Sequence, residues 1–328
     1  MRRHFSNLIA SAASVALLAL AAGASAQDSG YPTKPIRVIV PYAAGGPTDV
    51  LARIVTIKLG DLLGQTVYVD NKPGASGIPG TDAIAKATPD GYTIGLSTIG
   101  PLAVNPSLLA NVPYDTLRDF TPLILVARSY SVLTVHPSVP ANNFSELLAL
   151  VKANPGKYSY ASGGIGTTQH LSGEMLSNVA GLKLLHVPYK GEGAAQGDLL
   201  GGQVSMMFQS SIIALQQVRA GKLRAVAVTS PTRLPQFPET PTIAESGFPG
   251  FEVTAWFGMV APANLPAPIQ RKLNDALQAV LHQPEIIAKL ADLGALPAGG
   301  PPADLTALLK VELPKWRELI KRANIKPE

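Results

Sequence analysis

The sequence predicts an α/β protein of two domains, joined by a hinge and separated by a central cleft. Short apolar strands alternate with amphipathic helices, this alternation occurs twice, and long extended segments at residues 123–135 and 253–261 run between the two sets. About 300 residues follow a leader at the start of the chain, which suits two domains of ordinary size. We expect a discontinuous domain of residues 27–127 plus 251–328 and a continuous domain of residues 128–250.

The start of the chain, residues 1–26, has the organisation of a secretory signal peptide. Arg2 and Arg3 are basic, residues 8–22 form an apolar stretch, and Ala24-Ser25-Ala26 supplies the small residues that a signal peptidase recognises. The apolar stretch is too short for a membrane span, which needs about 20 apolar residues. We therefore expect cleavage after residue 26 and a mature protein in the periplasm.

The first set of elements begins with an apolar strand at residues 36–40, as expected for the buried centre of a sheet. A helix follows, and Gly64 is a typical signal for its end. Strands at residues 66–69 and 92–96 enclose a loop rich in glycine and proline and a short helix that ends near Ala87. The apolar face of the first helix is expected to contain Leu51, Ile54, Val55, Leu59 and Leu62.

The second set begins with a strand at residues 157–161 and a helix at residues 167–180, which Gly181 is expected to end. Beyond residue 268 the pattern is helical, and Trp316 is expected to anchor the last helix in the core. Further strands, completing a second parallel set, are predicted at residues 184–187, 204–208 and 223–228.

The loop between the first strand and the first helix, residues 43–49, is the first candidate binding element. Its two glycines let the backbone turn sharply and approach a ligand, while Pro47 suits an early helical position. Thr48 or Asp49 can cap the helix. Free N–H groups and the helix dipole then form an anion site without a basic side chain. The alternative is a tight turn in which Asp49 only orients the loop.

A second loop, residues 162–168, repeats this arrangement with three glycines and three hydroxyls between a strand and a helix. It is close to a dinucleotide-binding motif, but Gln169 replaces the last glycine and no acidic ribose partner follows, so no nucleotide cofactor is expected. His170 can donate to a carboxylate or pack locally, whereas His186 is interpreted as a structural histidine.

Composition and motifs exclude several classes of function. The chain has no cysteine, and its five histidines include no pair at i and i+4, so neither thiolate chemistry nor a metal site is expected. The nucleophile-elbow and zinc-protease motifs are absent, and Ser97 lacks the second glycine of an elbow. The net charge of +5 falls by two to +3 without the leader and is spread along the chain, so nucleic acid is not an expected partner.

A series of short motifs runs in order through nearly the whole chain after the leader. With them, the chain resembles the Bug-type, TctC-like substrate-binding proteins of tripartite tricarboxylate transporters. The motifs include Tyr31-Pro32, Asn71-Lys72-Pro73-Gly74, Pro89-Asp90-Gly91-Tyr92-Thr93, His186-Val187-Pro188-Tyr189-Lys190-Gly191 and Gly221-Lys222-Leu223-Arg224-Ala225, besides the two loops.

The resemblance implies a periplasmic binding protein of the Venus-flytrap type (type II-like), in which two glycine loops hold a ligand carboxylate, partly through water. The loop residues that match the family are Ala44, Gly45, Gly46, Thr48, Asp49, Ser162, Gly163, Gly164, Gly166, Thr167, Thr168 and His170. The other candidate ligand-binding residues are Tyr42, Ser97, Thr98, Tyr189 and Ser210.

Two departures from the family pattern concern the distal part of the ligand. Tyr42 stands where phenylalanine is common, and residues 208–211 differ from a Phe-Asp-Asn stretch of many members. The ligand therefore stays open among a dicarboxylate, an amino acid and an aromatic acid. Trp256 and Phe257 are interpreted as packing residues.

Three functions remain possible at this point. The leading one is a monomeric binding protein that delivers its carboxylate to the membrane permease subunits of a tripartite transporter. The second is an extracytoplasmic subunit that presents its ligand to a sensor kinase, and the third, a secreted enzyme, lacks any recognisable nucleophile or metal motif.

Overall fold

The computed structural model describes residues 30–189, 192–322 and 325–326. The predicted signal peptide and its cleavage site lie outside these residues. All helices and strands described here belong to the unit that begins at Lys34. Within the described part of the chain, no helix combines the length and the apolar character that a membrane crossing requires.

Ten strands form one mixed sheet, in which parallel and antiparallel pairs are combined. Along its main path the strands follow the order β2-β1-β3-β9-β4-β7-β5-β6, and β8 and β10 pair with β4 off this path. The strands are β1 Ile36–Val40, β2 Val67–Asn71, β3 Thr93–Thr98, β4 Phe120–Val135, β5 Ser159–Ser162, β6 Leu185–Pro188, β7 Met206–Ser210, β8 Arg224–Val228, β9 Thr254–Pro262 and β10 Ala295–Gly299.

The helices connect the strands, together with a 3-10 turn at Ala75–Gly77 and a π-helical turn at Gly100–Val104. The helices are α1 Pro47–Leu63, α2 Ile78–Ala85, α3 Asn105–Leu108, α4 Phe144–Ala153, α5 Thr168–Ala180, α6 Glu192–Leu200, α7 Ser211–Arg219, α8 Ala267–Leu281, α9 Pro284–Asp292 and α10 Pro302–Arg322.

Two parallel groups of strands contain the predicted strand-to-helix loops. In one group β1 lies between β2 and β3, and in the other β5 lies between β6 and β7. The chain leaves β1 directly into α1 and leaves β5 directly into α5. Both loops therefore lie at the carboxyl ends of parallel strands, the usual position of ligand sites in α/β sheets.

The long extended segments of the sequence are the strands β4 and β9, which pair antiparallel from Phe120 opposite Pro262 to Tyr130 opposite Thr254. Nearly all of β4 is buried, which explains its almost continuous apolar sequence. The far half of β4 pairs with β7 on one edge and with β8 on the other. The prediction that residues 223–228 complete a parallel set is therefore wrong, because β4 occupies the edge of β7 and β8 pairs antiparallel with β4.

The C-terminal part of the chain is not entirely helical, contrary to the sequence prediction. Strand β10 lies between α9 and α10 and pairs antiparallel with β4 from Ala295 opposite Ser129 to Gly299 opposite Leu125. The segment contains Pro297 and Gly299, which weaken a strand and are typical of loops. Its pairing with β4 is a long-range interaction that the local sequence does not indicate.

Helix α1 shows both the strength and the limit of the periodicity argument. Leu51, Val55 and Leu59 are fully buried, and Gly64 ends the helix in the left-handed conformation, as predicted. Leu62, predicted on the same face, is instead 49% exposed. Periodicity fixes the direction of a side chain around the helix axis, but not how far along the axis the neighbouring structure covers the helix.

The last helix is anchored as the sequence predicts. Trp316 is fully buried, and its indole N–H donates to the buried Glu312 carboxylate over 2.6 Å. The indole N–H of Trp256 in β9 donates to the same carboxylate over 3.4 Å. This shared acceptor links α10 to the strand that forms one wall of the site described next.

Candidate functional site

The two glycine loops open on one cavity of about 360 Å³. Its walls include residues from both parallel groups of strands and from β4 and β9. The candidate site residues that line the cavity are Tyr42, Ala44, Gly46, Thr48, Thr98, Gly166, Thr167, Thr168 and Ser210. Those that stand outside its lining are Gly45, Asp49, Ser97, Ser162, Gly163, Gly164, His170 and Tyr189. Their contacts with a ligand stay predictions.

The first loop is held by a buried carboxylate behind it. Asp49 accepts hydrogen bonds from the backbone N–H of Gly45 at 2.9 Å, from the Asn71 amide at 2.9 Å and from Nε of Arg53 at 3.0 Å. Asn71 also donates to the carbonyl of Tyr42. These bonds support the alternative role for Asp49, in which it orients the loop.

The start of α1 differs from the predicted cap. Gly46 is the N-cap residue without a side-chain hydrogen bond, and Pro47 occupies the first helical position, as predicted. Thr48 and Asp49 lie within the first turn, so neither caps the helix. A glycine at this position leaves the loop backbone uncovered on the cavity side.

The ionisation of Asp49 follows from its partners. Burial raises the pKa of Asp49, but the hydrogen bonds from Arg53, the Gly45 N–H and Asn71 outweigh burial and hold that pKa below its ordinary value of 3.8. The carboxylate is therefore charged at neutral pH and acts only as an acceptor.

The second loop is built around Thr167, which is the N-cap residue of α5. Its hydroxyl accepts from the His170 N–H over 3.4 Å and donates to the Gly164 carbonyl over 2.7 Å. Gly166 has φ +78°, a conformation that favours glycine, and donates its N–H to Nδ1 of His170 over 3.1 Å. The cap leaves the N–H groups of Thr168 and Gln169 without partners inside the helix.

Both histidines behind the second loop are neutral and bonded locally. His170 and His186 stack with ring centroids 4.1 Å apart, and Nε2 of His186 lies 2.7 Å from the Ser162 hydroxyl. Burial, with a smaller effect of the neighbouring His186, lowers the pKa of His170 to about 3, and burial lowers the pKa of His186 to about 4. Since His170 accepts from Gly166, the local-packing interpretation is favoured over carboxylate donation.

The remaining predicted residues have distinct surroundings. The Tyr42 hydroxyl and the Thr98 hydroxyl lie 2.8 Å apart on the cavity wall. Ser97 is fully buried and pairs with the Thr81 hydroxyl over 3.2 Å, away from the cavity. Tyr189 donates its hydroxyl to Asp198 over 2.6 Å.

Sequence reasoning missed the part of the cavity wall that β4 and β9 supply. Strand β4 is mostly apolar but contains Ser129 and Ser131, and these polar residues were a signal present in the sequence. The packing interpretation for Trp256 and Phe257 was incomplete, because both also line the cavity. The lining residues not predicted as ligand-binding are Ala43, Pro47, Ile99, Gly100, Ser129, Tyr130, Ser131, Gln169, Glu192, Ala255, Trp256 and Phe257.

The electrostatics of the cavity are set by dipoles and hydroxyls. Among the described residues of the lining there is no lysine, arginine or histidine, and Glu192 is the sole carboxyl group. The helix N-termini of α1 and α5 both open here, and each carries a partial positive charge. Within the described ranges, no group of three or more histidine, aspartate or glutamate residues is placed to hold a metal ion.

The fold of this chain is that of a periplasmic binding protein. The solved structure of the periplasmic binding protein BugD is 42% identical, with a TM-score of 0.81, and covers 91% of this chain and 100% of its own. The chain belongs to the family described as the tripartite tricarboxylate transporter family receptor (TctC), whose model matches residues 51–325. The resemblance and the fold class inferred from the sequence are therefore confirmed.

Further relatives match most of the chain. Protein BugT of Bordetella pertussis is 37% identical over 313 residues, which cover 95% of each chain. An R. palustris protein with adipate is 34% identical, with a TM-score of 0.84 over 91% of this chain and 100% of its own. MatC from Rhodopseudomonas palustris, with bound malate, is 32% identical, with a TM-score of 0.79 over 88% of this chain and 100% of its own.

Proposed function

We propose that this periplasmic solute-binding protein captures a small carboxylate in the cavity between its two glycine loops and delivers it to the membrane permease subunits of a tripartite transporter. The observation that carries the proposal is the meeting of two helix N-termini, those of α1 and α5, at one cavity. Each terminus offers backbone N–H groups that have no partner inside its helix.

The two termini act together on an anion. Each helix dipole corresponds to about half a positive charge at its N-terminus, and both are aimed at a cavity without a basic side chain in its described lining. The attraction is therefore short-ranged and depends on hydrogen bonds rather than on net charge. We expect binding to depend only modestly on salt, since screening acts mainly on separated, exposed charges.

Hydroxyl groups complete the polar surface of the cavity. Thr48 and Thr168 lie in the first turns of the two helices, next to the free N–H groups. Thr98, held by Tyr42, and Ser131 of β4 add donors on the remaining sides. This distribution suits the several acceptor positions of a carboxylate, which takes up to about four hydrogen bonds.

The comparisons support the ligand class. One structural relative is described with adipate and another with bound malate, and both of these solutes are carboxylates. Membership of the transporter receptor family supports the proposed delivery to permease subunits.

The organisation of the mature protein is part of the same proposal. We propose a monomer that is exported by cleavage of residues 1–26 and consists of domains 27–127 plus 251–328 and 128–250. The first loop then belongs to one domain and the second loop to the other, so closure of a hinge would enclose the carboxylate between them.

A panel of ligands tests the carboxylate class. We expect at least one small carboxylate to bind at about 1 μM or tighter, which corresponds to about −8 kcal/mol. At a hundred times its dissociation constant it should stabilise the folded protein by about 2.7 kcal/mol, visible as a rise in unfolding temperature. The measurement is thermal unfolding followed by calorimetric titration.

The matched controls are the neutral amides of the same acids and neutral sugars of similar size. They should leave the unfolding temperature unchanged, because they lack the charge that the helix termini attract. Binding of a sugar or an amide with no response to any carboxylate would contradict the proposed ligand class.

A further inference from the structure

Glu192 is a carboxyl group on the wall of a cavity that is otherwise suited to an anion. It is the first residue of α6 and lines the cavity together with Gln169 and Ser210. One of its oxygens accepts from the Ser210 N–H over 2.8 Å, and the other accepts from the Gln169 side-chain amide over 3.2 Å. Both protein partners donate, so the arrangement fits Glu192 as an acceptor.

The two hydrogen bonds fix the carboxyl group without saturating it. Each carboxylate oxygen can accept about two hydrogen bonds, so each retains capacity for one further donor. Gln169 directly follows Thr168, one of the residues at the N-terminus of α5. Glu192 of α6 is therefore hydrogen-bonded to the residue next to Thr168, at the N-terminus of α5 where the carboxylate is proposed to bind.

The charge of Glu192 lacks a counter-charge among the described residues. Within the described ranges, its side chain contacts two neutral donors and forms no ion pair. Burial raises the pKa of Glu192 to about 7, because the hydrogen bonds from Ser210 and Gln169 offset desolvation only in part. The N-terminus of α6, where Glu192 lies, supplies only a partial positive charge. A cationic group in the cavity would supply the full counter-charge.

Among the described residues, the titratable groups on neighbouring elements do not supply this counter-charge. Helix α6 packs against β5 and β7. Strand β5 contributes Tyr160, bonded to Glu174 of α5, and β7 contributes no titratable side chain. On α5 the neighbouring His170 is neutral at pH 7, and on α6 itself Asp198 accepts from Tyr189.

Among the described residues of the lining, the other titratable groups are two tyrosines. Burial raises the pKa of Tyr42 to about 12, and burial, followed by the nearby Glu252, also raises the pKa of Tyr130. Both hydroxyls are therefore protonated and neutral near pH 7, so neither balances nor opposes the charge of Glu192 strongly.

We propose that Glu192 makes this protein selective for a solute that carries an ammonium group in addition to its carboxylate, that is, for an amino carboxylate. The inference rests on the proposed carboxylate-binding function and specifies its ligand. The helix termini of α1 and α5 hold the carboxylate, and Glu192 accepts hydrogen bonds from the ammonium group.

An ammonium group matches the charge and the acceptor oxygens of Glu192 better than a second carboxylate or a hydroxyl group does. A second ligand carboxylate would stand against Glu192 with the same charge unless one of the two took up a proton. A hydroxyl group would donate one hydrogen bond but leave the carboxylate charge uncompensated. An ammonium group donates up to three hydrogen bonds and balances the charge.

The proposal predicts the sign of the pH dependence. Binding of an ammonium group favours the ionised form of Glu192, so affinity rises as pH increases through about 7 and then levels off. A solute that requires protonated Glu192, such as a dicarboxylate placed against it, shows the opposite trend. The sign therefore distinguishes the two arrangements in the unmodified protein.

The experiment compares ligands that differ only in the amine. Calorimetric titration of the mature protein with glutamate against glutarate, and with 4-aminobutyrate against butyrate, is carried out from about pH 5 to about pH 9. We expect an amino member to bind at least about tenfold more tightly than its amine-free partner at high pH, the range of one charge-assisted hydrogen bond.

Glu192→Gln provides the variant arm, because it keeps the size and an acceptor oxygen but removes the charge. It should lower the affinity for the amino carboxylate by about tenfold to a hundredfold and flatten the pH dependence of that affinity. The matched control is Glu174→Gln, a half-buried glutamate on α5 outside the cavity lining, which should bind like the parent. Circular dichroism confirms folding of both variants.

The outcomes separate this inference from the proposed function. If amine-free carboxylates bind and their amino partners do not, or if affinity falls as pH rises, the inference is wrong while carboxylate binding stands. If neither kind of carboxylate binds, both are wrong. Should Glu192→Gln not fold, the ligand pairs and the pH profile of the parent protein still decide.

Discussion

Replacing Gly166 by valine should weaken carboxylate binding by about a hundredfold or more, since a displaced loop loses more than one charge-assisted hydrogen bond at about 1.5–3 kcal/mol each. Gly166 has φ +78°, and a Cβ atom there would stand 2.7 Å from Cδ2 of the buried Leu108. A β-branched residue is strongly disfavoured at positive φ. The Leu108 methyl lies at the end of a flexible side chain and can move aside, but the positive φ strains any side chain at position 166. The loop therefore shifts to relieve the backbone strain, and the N–H groups of Thr168 and Gln169 shift with it.

The matched control for this variant is Gly181→Val at the other end of the same helix. Gly181 has φ +62°, but a Cβ atom there meets nothing within 4 Å, and the residue lies outside the cavity lining. The variant should lower the free energy of unfolding by about 1–2 kcal/mol, because valine is strained in the left-handed conformation. Its affinity for the carboxylate should be unchanged. Equal affinities of folded Gly166→Val and parent protein would show that this loop does not hold the ligand.

Replacing Asp49 by alanine should lower the free energy of unfolding by about 2–3 kcal/mol and weaken carboxylate binding. The variant leaves the Gly45 N–H, the Asn71 amide and the Arg53 guanidinium without their common acceptor. The carboxylate is buried but its donors are partly exposed, so water replaces some of the lost bonds and the cost is that of about one charge-assisted hydrogen bond. The first loop then loses the contact that fixes its backbone.

Asp82→Ala is the control for the Asp49 variant. Asp82 of α2 pairs with Lys86, the C-cap residue four positions later, as Asp49 pairs with Arg53 on α1, but it does not hold a loop. Its loss should cost only about 0.3–0.5 kcal/mol, typical of an exposed helical ion pair. If the two variants lose the same stability and both bind normally, Asp49 does not position the loop.

The Asp49 contribution also has a defined pH dependence. Because its pKa is lower in the folded protein than the ordinary value of 3.8, its stabilisation is fully present above that value. It is lost as pH falls through the lowered pKa of the folded state. The free energies of unfolding of the parent protein and of Asp49→Ala, measured as a function of pH, should therefore converge at low pH.

The parts of the site that were predictable are those that depend on local backbone chemistry. Gly64 and Gly181 end their helices in the left-handed conformation, and Thr167 caps α5. In each case the interaction involves residues only a few positions apart in the chain, so it can be predicted from the sequence alone. The strand-to-helix loops were found for the same reason.

The parts that were missed depend on contacts between distant segments. Glu192 contacts Ser210, and β10 pairs with β4, across separations that local periodicity does not report. Similarly, alternation along a strand does not tell which face of β4 or β9 borders a cavity, so Ser131 and Trp256 were not placed there. The N-cap at Gly46 was misassigned because two good capping residues, Thr48 and Asp49, follow two and three positions later.

The most direct measurement is a crystal structure of the mature protein with the carboxylate that raises its unfolding temperature most. The account predicts that the carboxylate oxygens accept hydrogen bonds from backbone N–H groups at the N-termini of both α1 and α5, within the cavity lined by Thr48 and Thr168. A carboxylate held elsewhere, with both helix termini facing only solvent, would contradict it.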